Sequence, residues 1–409
     1  MAEQDYHSPT ENIMESNELV SVEQARALIA ASISRVHPVV KELMQSTGLA
    51  LAEDIFSPLD IPAFDQSSMD GYAIYAEDIK SSLQVQGIMA AGHAQPETLQ
   101  RNHAMRIFTG APLPAGSDTI VMQEKVILHS SAIQVTDTLI EKGTHVRKRG
   151  SELKKDELVL KKGTVITAPI TGLLASLGIP SARVYPRLTI HIIATGNELQ
   201  MPGKSLKEGQ SFESNGFFLQ TALNPFAEYP MTVFYAEDNL EEIEHSLSAA
   251  VNNSDLVILT GGVSIGDYDF VRQAADRAGI HCKFHRVKQK PGKPIYFGTK
   301  VNKIIFGLPG NPASVVTCFY EYVLPAIRFM LHLPQEELLT ARLKDDFDKV
   351  KGLTQFLKAY YADGEVEILE AQESYRLRSF ASANCLVALD EHRLSYERGE
   401  MVTVRLLPK

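Results

Sequence analysis

The chain reads as a multidomain α/β plus β protein. It has a central three-layer α/β domain with a largely parallel sheet, a β-rich insertion domain, a mixed linker domain and a small C-terminal β domain. Three observations predict this. Apolar strand-like runs alternate with helical patterns from Pro186 onward; short apolar runs broken by Gly, Pro and Asn fill Leu49 to about Val146; and short strand-like pieces return after about Pro334. At 409 residues the chain exceeds one ordinary core, and 44% apolar with 22% charged residues is a globular composition.

Residues 1 to 18 hold five acids and no Lys or Arg, which predicts a disordered acidic tail. Residues 21 to 47 carry apolar positions at helical spacing (Val22, Ala25, Leu28, Ile29, Ile33, Val36) behind an N-cap signal of Ser21 with Gln24, so a helix is expected there. Residues 157 to 183 read as a strand-like piece and a helix that rejoin this first helix. The expected division is then a linker domain of 19–53 with 148–185, an insertion over 54–147, the α/β domain over 186–333 and the C-terminal domain over 334–409. Within the α/β part, strands are expected at LTIHIIA, MTVFYA, LVILT, KFHRV and KIIFGL. Helices are expected from about Ser214, Asn239, Asp269 and Asn311, the last running toward Tyr322.

The net charge, 40 minus 50 or −10, disfavours nucleic acid. No apolar stretch approaches the roughly 20 residues of a membrane span. The start lacks the basic and apolar regions of a secretory signal. The three cysteines, Cys282, Cys318 and Cys385, form no CxxC pair, which predicts neither a disulfide framework nor a structural zinc site; a reducing cytoplasm fits. Basic residues cluster at Arg147 to Arg149 with Lys154 and Lys155, and from Arg286 to Lys293. The first cluster reads as a solvated face; in the second, Pro and Gly fix the backbone beside a glycine-rich strand end.

Three segments carry the chemistry: SDLVILTGGVSIGDYDF, KQKPGKPIYFG and IIFGLPGNPAS, all within residues 254 to 314. Strand LVILT ends at Gly261 and Gly262, where absent Cβ atoms let N–H groups approach a phosphate. Asp267 and Asp269 read either as ligands of a hard cation or as solvated turn and cap residues. Asn311 and Pro312 read as N-cap and N1 of a helix whose free N–H groups face an anion. Glu198 of TGNEL ends the first strand of the α/β part, on the same sheet edge as Asp269. The glycines match neither a Walker A loop nor GxGxxG, and His281 and His285 fall in an expected strand, where their spacing does not make a ligand pair.

Eight segments, DQSSMDGYAIYAEDI, TGAPLPAGSDTIVMQE, RKRGSELKKDE, TGNELQMPGKSLKEGQSFESN, GGVSIGDYDF, KPGKP, GLPGNP and SFASANCLV, closely resemble, in order, the motifs of the MoeA family of molybdopterin molybdenumtransferases, which includes the gephyrin E domain. The resemblance runs from about Ser21 to the C-terminus. It implies that the α/β domain is a MogA-like molybdopterin-binding domain. It also implies a Mg²⁺-dependent insertion of molybdate into the dithiolene of adenylylated molybdopterin, with release of AMP. Carried over by motif, catalytic roles fall on Asp70, Thr109, Glu152, Glu198, Asp238, Asp269, Lys290 and Lys293. Glu198 and Asp269 would hold the metal. Gly261, Gly262, Ser264, Gly266, Pro309, Gly310, Asn311, Pro312, Lys358 and Ser379 would bind the cofactor. Glu152, Asn197 and Lys358 depart from the pattern, standing where Asp, Asp and Arg are usual. A homodimer with a site shared between subunits is implied. The adenylyltransferase that supplies the substrate and the apoproteins of molybdoenzymes are the expected partners. Molybdopterin adenylyltransferase and a gephyrin-like scaffold are the alternative readings.

Overall fold

The computed structural model describes residues 19–92, 98–137, 139–263 and 270–408. The acidic tail over 1–18 lies outside them. The described chain forms two compact units. One runs to Val39 and resumes over Gly48–Ala50 and from Tyr185 on; the other comprises Val40–Thr47 and Leu51–Val184.

In the second unit, six strands are ordered Thr119–Met122, Gly71–Ile74, His103–Ile107, Leu83–Met89, Ala132–Val135 and Val126–His129. Successive residues serve opposite faces. Ala73, Met105 and Ile120 enter one core while Ile74, Ala104 and Val121 enter the other, as the period of two requires. The basic run is spent internally, because Lys148 Nζ donates to Asp65 at 2.8 Å and Arg149 Nε to Asp60 at 2.5 Å.

The first unit contains a mixed sheet ordered Val233–Ala236, Ile190–Thr195, Leu256–Thr260, Lys303–Leu308, Pro294–Lys300 and His281–Arg286. The first three pairings are parallel and the last two antiparallel. Ile192, Ile258 and Phe306 face a core shared with helices Val22–Ser32 and Asn215–Leu223. Ile193, Val257 and Ile305 face one shared with Leu240–Asn252 and Phe270–Arg277. Both faces are covered, so these strands read as unbroken apolar runs.

The expected helix over 21–47 is shorter. The capping box of Ser21 and Gln24 forms as the sequence predicts, but the helix ends at Ser32. β-Branched Ile33 and Ile29 disfavour continuation, and Pro38 pushes its predecessor out of the helical region. Strand Val39–Glu42 follows and pairs with Ser181–Val184, so a strand, not this helix, rejoins the later segment. Strand Pro294–Lys300 adds to the strands expected from sequence; a turn at Val301, φ 55°, folds it back on Lys303–Leu308. The helix at Pro312 continues past Tyr322 to Met330 through a wider turn over Phe319–Val323. In a regular helix the ring of Pro325 would collide with the carbonyl of Glu321. Glu321, 3% exposed, ties both chain ends by accepting from Arg26 at 2.5 Å and Arg405 at 2.9 Å.

After Met330, the strands Leu339–Leu343, Thr354–Ala362, Glu365–Ile368, Cys385–Leu389 and Met401–Leu406 close on one another through the pairing of Thr354–Ala362 with Cys385–Leu389, while Phe347–Asp348 and Ser395–Tyr396 pair separately. Gln289–Lys290 adds to this sheet in parallel with Thr354 and Gln355. Among the described residues no helix is long and apolar enough to cross a membrane.

Candidate functional site

Three parallel strands end together, and a cavity of 590 Å³ opens beyond them. Its floor is Thr195, Thr260 with Gly261 and Gly262, and Pro309 with Gly310. Ligands of open α/β sheets bind at such carboxyl ends. A hydrogen-bonded clamp fixes the floor. Asn215 Nδ2 donates to Thr260 Oγ1 at 3.0 Å and to Gly310 O at 2.8 Å, and Thr260 Oγ1 donates to Pro309 O at 3.2 Å. Gly261 has φ +89°, and a Cβ there would lie 2.2 Å from the Thr195 carbonyl oxygen. Only glycine lets these strand ends approach so closely.

Two polar atoms of residues lining this cavity, Thr195 Oγ1 and Asp238 Oδ1, are buried without a hydrogen-bond partner among the described residues. Burial raises the Asp238 carboxyl above its ordinary range, and the nearby Glu198 carboxylate adds to the rise. Asn197 Oδ1 accepts from the Asp238 backbone N–H at 3.1 Å, so the residue that departs from the family pattern aligns the two acidic loops. Gly196 makes room for Glu198, since a Cβ there would sit 2.9 Å from both its carboxylate oxygens. Charge is thus gathered where an unsatisfied buried oxygen is costly, an arrangement that calls for a cation or a donor from a ligand.

Of the residues singled out by sequence, Glu198, Asp238, Gly261, Gly262, Pro309, Gly310, Asn311 and Pro312 line this one cavity. Ser264, Gly266, Asp267 and Asp269 lie outside the described residues. Lys290 lines an adjoining cavity of 920 Å³ because its backbone is drawn into the C-terminal sheet; Tyr375 lines both cavities. Lys293 accepts from Val287 N–H through its carbonyl at 3.0 Å. Lys358 is buried and donates to backbone carbonyls, and Ser379 Oγ donates to Ala371 O at 3.1 Å. Asp70, Thr109 and Glu152 belong to the other unit. There Asp70 Oδ1 accepts from both the N–H and the hydroxyl of Thr109 at 2.8 Å, which lowers its carboxyl; Glu152 is exposed.

The helix start at Asn311 is less open than its sequence suggests. Pro312 does occupy N1, but Ala313 N–H donates to Ser374 O at 2.9 Å, and the next two N–H groups donate to Asn311 O at 3.0 and 3.1 Å. A carbonyl from the 371–376 turn therefore caps this helix where an anion was expected. Sequence reasoning missed Thr195, Thr260, Asn215 and Tyr375. The first three sit at the borders of the segments TGNEL to ESN and LVILTGG, a signal that was in view; Tyr375 carried none.

Models of the "MoeA N-terminal region (domain I and II)", the "Probable molybdopterin binding domain" and the "MoeA C-terminal region (domain IV)" match residues 20–178, 191–328 and 340–407. The chain is 34% identical over 376 residues to the molybdopterin molybdenumtransferase of Haemophilus influenzae, covering 88% of this chain and 92% of that protein. It is 34% identical over 406 residues to molybdopterin molybdenumtransferase 2 of Mycobacterium tuberculosis, covering 94% and 98%. The crystal structure of the molybdopterin biosynthesis moeA protein from Pyrococcus horikosii superposes with a TM-score of 0.78 at 31% identity, covering 95% of this chain and 99% of that one. With three family regions in order and full-length relatives above 30% identity, the chain belongs to the MoeA family of molybdopterin molybdenumtransferases, enzymes of molybdenum cofactor biosynthesis.

Proposed function

We propose that the 590 Å³ cavity binds adenylylated molybdopterin and that molybdate enters its dithiolene there, with release of AMP and with Mg²⁺ required. The observation that carries this reading is the buried Asp238 Oδ1, without a hydrogen-bond partner among the described residues, on a residue that lines the same cavity as Glu198. Two carboxylates on one cavity suit Mg²⁺, since it keeps waters and takes its other ligands from substrate phosphates. Glu198 and Asp238 would hold the ion; Asp269, the second metal residue expected from the resemblance, lies outside the described residues. When bound, it would polarise the phosphoanhydride and offset charge on the departing AMP.

The chain's own groups divide the remaining work. Gly261 and Gly262 let the backbone approach phosphate oxygens. Thr195 Oγ1, left without a partner, is free to donate to one of them. The Asn215 clamp keeps the strand ends in place while ligands exchange. Lys290, in the adjoining cavity, brings positive charge for an oxyanion. A reducing cytoplasm suits the reaction, and among the described residues Cys282, Cys318 and Cys385 form no disulfide.

An assay with adenylylated molybdopterin, molybdate and Mg²⁺ should yield AMP and molybdenum cofactor, and omission of either inorganic ion should stop product formation. Turnover of molybdopterin with ATP alone, in place of that reaction, would identify an adenylyltransferase instead.

The dimer implied by resemblance is part of the proposal: Asp70 and Thr109 would complete the site from a second copy. Mixing inactive Asp70→Asn and Glu198→Gln chains should restore about a quarter of wild-type activity, because half the dimers are hybrids with one intact site of two. No recovery after subunit exchange is demonstrated would overturn the shared site.

A further inference from the structure

The turn over 371–376 is built around one ammonium group. Lys358, 3% exposed on strand Thr354–Ala362, donates through Nζ to Ala371 O at 2.6 Å, Arg376 O at 3.0 Å and Glu373 O at 3.5 Å. An ammonium has three N–H donors and no acceptor, so three converging carbonyls use it fully. Gln372 fastens the same turn by accepting from Lys358 N–H at 3.0 Å and donating to Lys358 O at 2.8 Å.

What the turn carries lies elsewhere. Ser374 O caps the helix at Pro312 by accepting from Ala313 N–H, and Tyr375 stands where the two cavities meet. The Tyr375 ring is 62% exposed, and the Arg376 guanidinium backs it, 5.6 Å from its centroid. Phe212 also lines the first cavity, and Phe347 and Phe356 the second, but Tyr375 is the aromatic residue common to both. Lys358 lines neither cavity.

We propose that Lys358 is a positioning residue that does not touch substrate: by gathering the carbonyls of the turn it sets Tyr375 as an aromatic wall on which a flat heteroaromatic ring of the substrate stacks. This rests on the reading of the cavity as the site of adenylylated molybdopterin, whose adenine and pterin both offer such a ring.

The chain has no tryptophan, so Tyr375→Trp places a single indole reporter at the turn. In that background Lys358→Met should increase acrylamide quenching of the indole, and Lys358→Arg should reverse part of the increase. In the otherwise wild-type chain, Tyr375→Ala and Lys358→Met should each raise KM for adenylylated molybdopterin about tenfold with kcat nearly unchanged, and the double variant should be no worse than either. Calorimetry with AMP and with molybdopterin decides which ring is held: weakening of AMP by Tyr375→Ala assigns the adenine, weakening of molybdopterin the pterin. Tyr375 is exposed, so that substitution does not threaten folding.

Three results would overturn the proposal: unchanged quenching in Lys358→Met, multiplying KM effects in the double variant, or an unaltered KM in Tyr375→Ala. Absence of AMP release by the wild-type chain would instead sink the functional reading, and the ring contact with it; the quenching series would still decide whether Lys358 holds the turn.

Discussion

Replacing Glu198 by Gln should cut AMP release by roughly a hundredfold, about 3 kcal/mol of barrier, with the fold intact. The amide keeps the size and removes the charge, so Asp238 loses the neighbouring carboxylate with which it would hold Mg²⁺. Folding should not suffer, because Glu198 is exposed and its carboxylate opposes Asp238. Burial, then Glu198, raises the Asp238 carboxyl above its ordinary value of 3.8. The folded chain therefore holds that proton more tightly than the unfolded chain. The associated stability is present in full below about pH 3.8 and is lost as pH rises through the folded value. Glu198→Gln removes the lesser cause, so in chelator the variant should lose less stability than wild type between acid and neutral pH. Thermal melts across that range, beside AMP release as a function of Mg²⁺, are the check. Turnover and metal dependence equal to wild type would exclude Glu198 from the mechanism, and a lowered melting temperature at neutral pH would assign the activity loss to folding.

Much of the sheet was legible because its strands are buried on both faces. Leu256–Thr260 is apolar through Leu259, and no other local structure of that length between turn signals suits such a run. The glycines after it, and Glu198 after Ile190–Thr195, announced the cavity because strand ends of parallel sheets share one edge. What stayed hidden depended on contacts distant in sequence. Nothing local in KPGK shows that Gln289–Lys290 joins the C-terminal sheet and carries Lys290 into the neighbouring cavity. Nothing near Asn311 shows that Ser374 will occupy the Ala313 N–H, 61 residues away by subtraction of the two positions. The first helix is shorter than expected for a related reason: Ile33 and Val36 keep a helical spacing, but Val36 reaches the core from beyond the end of the helix. Lys358 shows the same limit, since type and position gave it a ligand's role while its partners are backbone carbonyls that no sequence pattern marks.

Gly261→Ala should be the most damaging single methyl group in the chain's candidate site, costing about 3 kcal/mol or more in stability. Two independent strains add. The residue sits at φ +89°, where an L side chain is unfavourable, and its new Cβ would lie 2.2 Å from Thr195 O, a backbone atom that no rotamer change can move. Relief requires the end of Ile190–Thr195 to part from the end of Leu256–Thr260, yet these strands are paired in register up to Ala194 and Thr260. Parting them would also pull on Gly261 N–H, which donates to Leu308 O at 3.2 Å, and would displace the Thr195 hydroxyl from the cavity floor. Gly310→Ala is the matched control: it adds the same methyl to the same cavity, where the only neighbour within 4 Å among the described residues is Gly261 Cα at 3.9 Å. That change should cost under about 1 kcal/mol in stability and act, if at all, on ligand affinity. Denaturant midpoints of the two variants, read with AMP binding by calorimetry, separate backbone closeness from mere crowding of the ligand. Equal stability losses would mean that the approach of the two strand ends at Gly261 is not what shapes the cavity.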